Sequence, residues 1–119
     1  MAITKVDLQK VNLNAGKVVE LTAPSSASDG FAMDFTAQDE RTVFLFMNTS
    51  TSASATVKVL AGNGIQGCND IDAFTIPASG ICAYRLDSGA FMNVTGDNKD
   101  RAVFIPSAAT VKGAVIQLP

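Results

Sequence analysis

Two clusters of carboxylates are the places in this sequence where chemistry could begin. Asp70-Ile71-Asp72 puts two carboxylates on one side of an extended segment, and Asp97-Asn98-Lys99-Asp100 gathers oxygen ligands in a loop. A hard cation such as calcium takes about six to eight oxygens, usually around a glycine-aided turn. Neither cluster supplies that many, and Lys99 adds a positive charge to the second, so solvated turn carboxylates are the expected state. Cys68 and Cys82, with thirteen residues between them, could meet across neighbouring strands. The opening Met1-Ala2-Ile3-Thr4-Lys5-Val6-Asp7 has charges where a signal peptide needs an unbroken apolar stretch. Synthesis in reducing cytosol is therefore expected, and there two buried free thiols are favoured over a bond. Without secretion, the glycosylation patterns at Asn48-Thr49-Ser50 and Asn93-Val94-Thr95 carry no weight.

The rest of the inventory argues against catalysis. The chain has no histidine, so Ser–His–Asp, Cys–His and histidine-based metal sites cannot be built from it alone. No serine stands in a Gly-x-Ser-x-Gly setting. The glycine-rich Gly62-Asn63-Gly64-Ile65-Gln66-Gly67 is followed neither by Lys-Ser/Thr nor by a helix pattern, as a phosphate cradle requires. Nine basic residues, with no stretch that concentrates Lys or Arg, stand against eleven acidic ones, giving a formal charge of −2. A nucleic-acid binder carries a basic stripe to replace phosphate counterions, and none is present. Nothing approaches the roughly eighteen consecutive apolar residues of a membrane span. The expectation is a binding or building module with no enzyme activity, no cofactor, no nucleic acid and no membrane.

Such a module is only as good as the elements that hold its surface, and these read as strands. At 119 residues, with 47% apolar and 17% charged side chains, the chain suits one domain with its own core. Phe31–Thr36 alternates cleanly, with two Phe and a Met on one face; Thr56–Leu60 turns Val57 and Val59 inward; Gly113–Leu118 groups Ala114, Ile116 and Leu118. Further strands are expected at 17–21, 74–76, 81–86, 90–94 and 102–105, while residues 3–11 read as a first strand or an arm. The breakers between them are the loop 23–30, the Asn/Thr/Ser/Ala run 48–54, Pro77-Ala78-Ser79-Gly80 and Gly96–Asp100. Short strands at this spacing with no long helical period predict an all-β, antiparallel β-sandwich or jelly-roll-like single domain. The expected division is an N-terminal arm or first strand at 1–16 and a sandwich at 17–119.

Val43-Phe44-Leu45-Phe46-Met47 breaks the pattern by being apolar on both faces. A sandwich strand ordinarily buries one face and wets the other. Either a loop or the N-terminal segment covers the second face, or a neighbouring subunit or partner does, since two exposed phenylalanines would form an adhesive patch. Phe44 and Phe46 are the candidate contact residues for an oligomer or partner.

Strand by strand, a familiar order then emerges. Arg41-Thr42-Val43 runs apolar to Met47-Asn48 and is followed by a Ser/Thr/Ala loop, Ala55-Thr56-Val57-Lys58-Val59 and Ala61–Gly67. Phe74-Thr75-Ile76-Pro77-Ala78-Ser79-Gly80, Tyr84–Gly89 and the closing Val115-Ile116-Gln117-Leu118-Pro119 complete it. Over residues 41–119 this resembles the small capsid decoration (auxiliary or cement) proteins of tailed bacteriophages and prophages. The resemblance implies a small β-sandwich that binds the outside of an assembled capsid, with the major capsid protein as partner. It also implies a homo-oligomer, trimers at local three-fold positions being favoured. The protein would be made in the bacterial cytoplasm and would reside on the virion exterior. The polar N-terminal third could act as an arm ordered on the capsid. A receptor- or carbohydrate-binding module is the alternative, weakened by the lack of tryptophan and by Tyr84 being the only tyrosine.

Overall fold

The computed structural model describes residues 3–64 and 69–119. Among these residues nine strands make two packed sheets: β1 (Thr4–Val6), β2 (Leu8–Lys10), β3 (Phe31–Asp34), β4 (Thr42–Asn48), β5 (Ala55–Val59), β6 (Ile71–Ile76), β7 (Ile81–Tyr84), β8 (Arg101–Pro106) and β9 (Val111–Gln117). One sheet runs β1-β3-β8-β5-β6 and the other β2-β9-β4-β7. Neighbours therefore pair as β2 with β9, β3 with β8, β4 with β7 and β5 with β6, alternating between the sheets. This is a long hairpin folded around a core, the wrapping of a jelly roll. The expected all-β sandwich is what the chain forms.

Two details differ from a wholly antiparallel sandwich. β1 and β2 are one extended run that changes sheets at Asp7, and each lies parallel to its neighbour, β1 on β3 and β2 on β9. Residues 4–10 are thus edge strands of the two sheets, in place of a free arm. The stretch 17–21 forms no strand. Only Thr22 bridges Gly113, because the neighbouring edge of β9 is already occupied by β2 from Val115 to Gln117. The expected strand at 90–94 is also replaced, by a single helical turn α1 (Ser88–Phe91). Asp87 caps that turn by accepting a hydrogen bond from the Gly89 N–H, and local capping of this kind overrides a short two-fold apolar pattern.

Phenylalanine fills the space between the sheets. Five of the seven, Phe31, Phe35, Phe44, Phe46 and Phe104, are fully buried. Phe44 and Phe46 of one sheet lie 5.0 and 4.8 Å from Phe104 of the other, centroid to centroid, and Phe35 meets Phe44 edge-on at 5.1 Å. Tilted and edge contacts at these distances add to burial energy. Facing sheets stand about 10 Å apart, a gap that aromatic rings span from either side. Gly113 gives the cluster room: a Cβ there would stand 2.3 Å from the Met33 methyl. Gly30, with φ +71°, delivers the chain into β3 so close to Phe104 that a side chain would meet its carbonyl oxygen.

Candidate interaction surface

β4 carries the question of what this molecule grips. Its seven residues alternate strictly, with Thr42, Phe44, Phe46 and Asn48 buried and Val43, Leu45 and Met47 half-buried. Phe44 and Phe46, the residues expected to meet a subunit or partner, are wholly enclosed between the sheets. That expectation is corrected: they are the core, and the face left for cover is the aliphatic one. Its neighbours follow from the pairing. Leu45 lies beside Ala83 on β7 and Ala114 on β9, Met47 beside Ile81 and Lys112, and Val43 beside Ile116. The outward face of the second sheet is therefore a band of Val43, Leu45, Met47, Ile116 and Ile81, with Ile81 70% exposed. None of these five belongs to the core cluster or packs against it.

The acidic clusters resolve into structural roles. An Asp70 carboxylate oxygen accepts the Ala61 N–H at 2.7 Å, and the carboxylate stands 3.5 Å from Lys58 across a half-open surface. Asp72 is exposed on β6. Asp100 takes a left-handed backbone, φ +63°, and its N–H donates to the Asn93 carbonyl at 2.7 Å, closing the loop that holds Asp97 and Lys99. Among the described residues no three Cys, Asp or Glu gather as a metal-holding group. Asn63 of the glycine-rich run is a clamp: its amide donates to the Thr95 carbonyl and its oxygen accepts the Val94 N–H at 2.7 Å. Ile65, Gln66, Gly67 and Cys68 lie outside the described residues, and with Cys68 the question of a bond to Cys82. Cys82 is half-buried beside Phe46 on the inner face of β7. Desolvation there pushes its thiol pKa up, so it is protonated at neutral pH.

The clefts offer little to a ligand. An open one of about 400 Å³ runs between residues 35–39, Ser88, Met92 and Asp100. Its Asp39 carboxylate is occupied in accepting the Ser88 N–H at 3.0 Å. Tyr84, the one tyrosine, stacks on Phe74 at 4.7 Å and 16°, so one face of its ring is taken from any sugar. No helix among the described residues is long and apolar enough to cross a membrane. Comparison of the chain with protein-family models, with curated proteins and with solved structures gave no match.

The signal for the aliphatic band was present in the sequence as a strand apolar on both faces; which face was which was not. The inward row of β4 ends in Thr42 and Asn48, polar residues, whereas the outward row is apolar throughout. Counting polar residues alone points the strand the wrong way.

Proposed function

We propose that this chain is a virion structural protein that binds the outside of a bacteriophage capsid and stabilises it without catalysis, with the major capsid protein as its partner. The observation that carries this reading is the aliphatic band on the second sheet, taken together with the decoration-protein resemblance of residues 41–119. A cement protein needs a stiff body and a contact that can be repeated at every site of a shell. Phenylalanines contributed by both sheets supply the stiffness, and the band of Val43, Leu45, Met47, Ile116 and Ile81 supplies an apolar centre for a contact. A contact of standard size, roughly 1,200–2,000 Å² in total, is specific and stable. Oligomers, trimers under this reading, would touch several capsomers at once and multiply modest affinities by about 10²–10⁴. A charge of only −2 lets copies crowd on a shell without strong repulsion.

The test is co-sedimentation with capsids of the phage or prophage that encodes the chain, assembled without it. Saturable binding near one copy per capsid subunit is expected. Val43→Lys and Met47→Lys, on the outward row, should weaken it at least tenfold while leaving thermal unfolding unchanged. Capsids that pellet with the chain left in the supernatant would end this reading.

A further inference from the structure

β7 differs from the other three sheet edges in a way that points to a second copy of this chain. Strands at the margins of sheets expose unpaired N–H and C=O groups, and proteins blunt them with charges, prolines or bulges. β1 carries Lys5, β2 carries Lys10, and β6 carries Asp72 and an irregular register against β5. β7 is Ile81-Cys82-Ala83-Tyr84, with no charge, no proline and an unbroken register against β4. Ile81 and Ala83 are both exposed.

The bonding phase of this edge is fixed. The Asn48 N–H donates to the Gly80 carbonyl, so in the antiparallel β4–β7 ladder Gly80, Cys82 and Tyr84 turn their backbone groups toward β4. The backbone groups of Ile81 and Ala83 therefore point away from the sheet. Among the described residues no backbone hydrogen bond reaches them, and the one approach is the Cys82 thiol, a weak donor, 3.9 Å from the Ala83 carbonyl.

We propose that two copies of this chain pair antiparallel through β7 about a two-fold axis at Cys82, joining their four-stranded sheets into one of eight strands. One register lets the outward groups within this strand satisfy each other completely. Ile81 bonds Ala83 of the second copy and Ala83 bonds its Ile81, which makes four hydrogen bonds and lays each exposed Ile81 beside an alanine. Cys82 then faces its own counterpart in a non-hydrogen-bonded pair, where Cα atoms stand about 4.5 Å apart, inside the window of roughly 4.4–6.8 Å that a disulfide needs. A four-residue edge gives a contact at the small end of specific interfaces, so the dimer forms and dissociates with concentration. The pairing goes beyond the capsid reading, needs no capsid, and is separate from any three-fold arrangement on one.

The experiment uses the full chain with Cys68→Ser, oxidised by diamide at pH 8.5 and run on a non-reducing gel. Diamide takes two protons and two electrons from the facing thiols as the S–S bond forms. A dimer band reversed by thiol is expected, together with a sizing mass that rises toward double with concentration. Ala83→Pro removes an outward N–H that the monomer does not use, and Ile81→Lys places a charge on the edge. Each should cut the cross-linking rate at least tenfold, and whichever variant keeps the parent's far-ultraviolet circular dichroism is the one scored. A constant monomer mass up to millimolar concentration without cross-linking, or equal cross-linking in the scored variant, overturns the proposal.

Discussion

Asn48 is the polar residue on which the most backbone depends. It is fully buried at the end of β4. Its amide donates to the Ala53 carbonyl at 2.8 Å and to the Ile76 carbonyl at 3.2 Å, and its oxygen accepts from the Ser50 N–H and the Thr110 hydroxyl, both at 3.1 Å. One side chain thus ties the β4–β5 loop to the end of β6 and to the turn before β9. Burying an amide is unfavourable unless it is bonded, and here all four of its bonding directions are used. Asn48→Ala would take the amide from the Ala53 and Ile76 carbonyls and leave the Ser50 N–H without its acceptor, at about 1–3 kcal/mol for a polar group left unsatisfied, and would open a small cavity as well. We expect a loss of about 2–3 kcal/mol in denaturant unfolding. Thr110→Val, which removes a single hydroxyl donor to the Asn48 oxygen, should cost about 1 kcal/mol. A loss below 0.5 kcal/mol for Asn48→Ala would mean that water replaces these bonds.

Among the elements, the sheet-changing N-terminal strand depends on Arg101 of β8. The guanidinium donates through Nη1 to the carbonyls of Val6 and Ala32, at 3.1 and 3.2 Å, and through Nη2 to an Asp7 carboxylate oxygen at 3.3 Å. Its side chain is 20% exposed whereas that of Asp7 is 87% exposed. The two halves of the contact are therefore unequal: the carbonyl bonds are shielded and charge-assisted, while the ion pair is screened by water. Arg101→Ala should cost about 1.5–3 kcal/mol and Asp7→Ala no more than a few tenths, both read by thermal unfolding. Equal losses would put the weight on the ion pair.

Elements of this kind were unevenly legible in the sequence. Short apolar patterning located β3, β4, β5, β8 and β9, although only β4 and β5 bury strictly alternate residues, and Phe31, Met33 and Phe35 took the inward face as the pattern required. It located no crossover at Asp7, because a strand that changes sheets keeps an extended backbone and leaves no breaker. It misread 90–94, where the decisive group was the Asp87 cap, outside the apolar stretch altogether. At β4 it gave both faces and could not rank them. Only the partners Phe31 and Phe104, distant in sequence, decide that the rings go inward.

For the whole molecule, the consequence of the crossover is that the N-terminus clamps the two sheets together. Its radius of gyration, 13.6 Å, is close to the roughly 13.5 Å of a compact chain this long, and residues 4–10 are part of that compactness. An arm ordered only on a capsid would be removable with the fold intact. The structure argues otherwise. Deleting residues 1–10 takes away Val6, which is buried in the core, and Leu8, which packs against it. It deprives Arg101 of two of its three partners, the Val6 carbonyl and Asp7. It also uncovers β3 along Phe31-Ala32-Met33 and β9 along Val115-Ile116, neither stretch bearing a charge. Two new apolar edges on one molecule are templates for pairing between chains. The truncated protein should therefore be recovered mainly as aggregate, and any soluble fraction should melt well below the parent. Deleting residues 1–3 alone keeps both strands and should change neither yield nor melting. If the ten-residue deletion instead gave a monomer with the parent's unfolding curve, β1 and β2 would be ornaments on a sandwich that closes without them, and the N-terminal segment would again be free to serve as an arm.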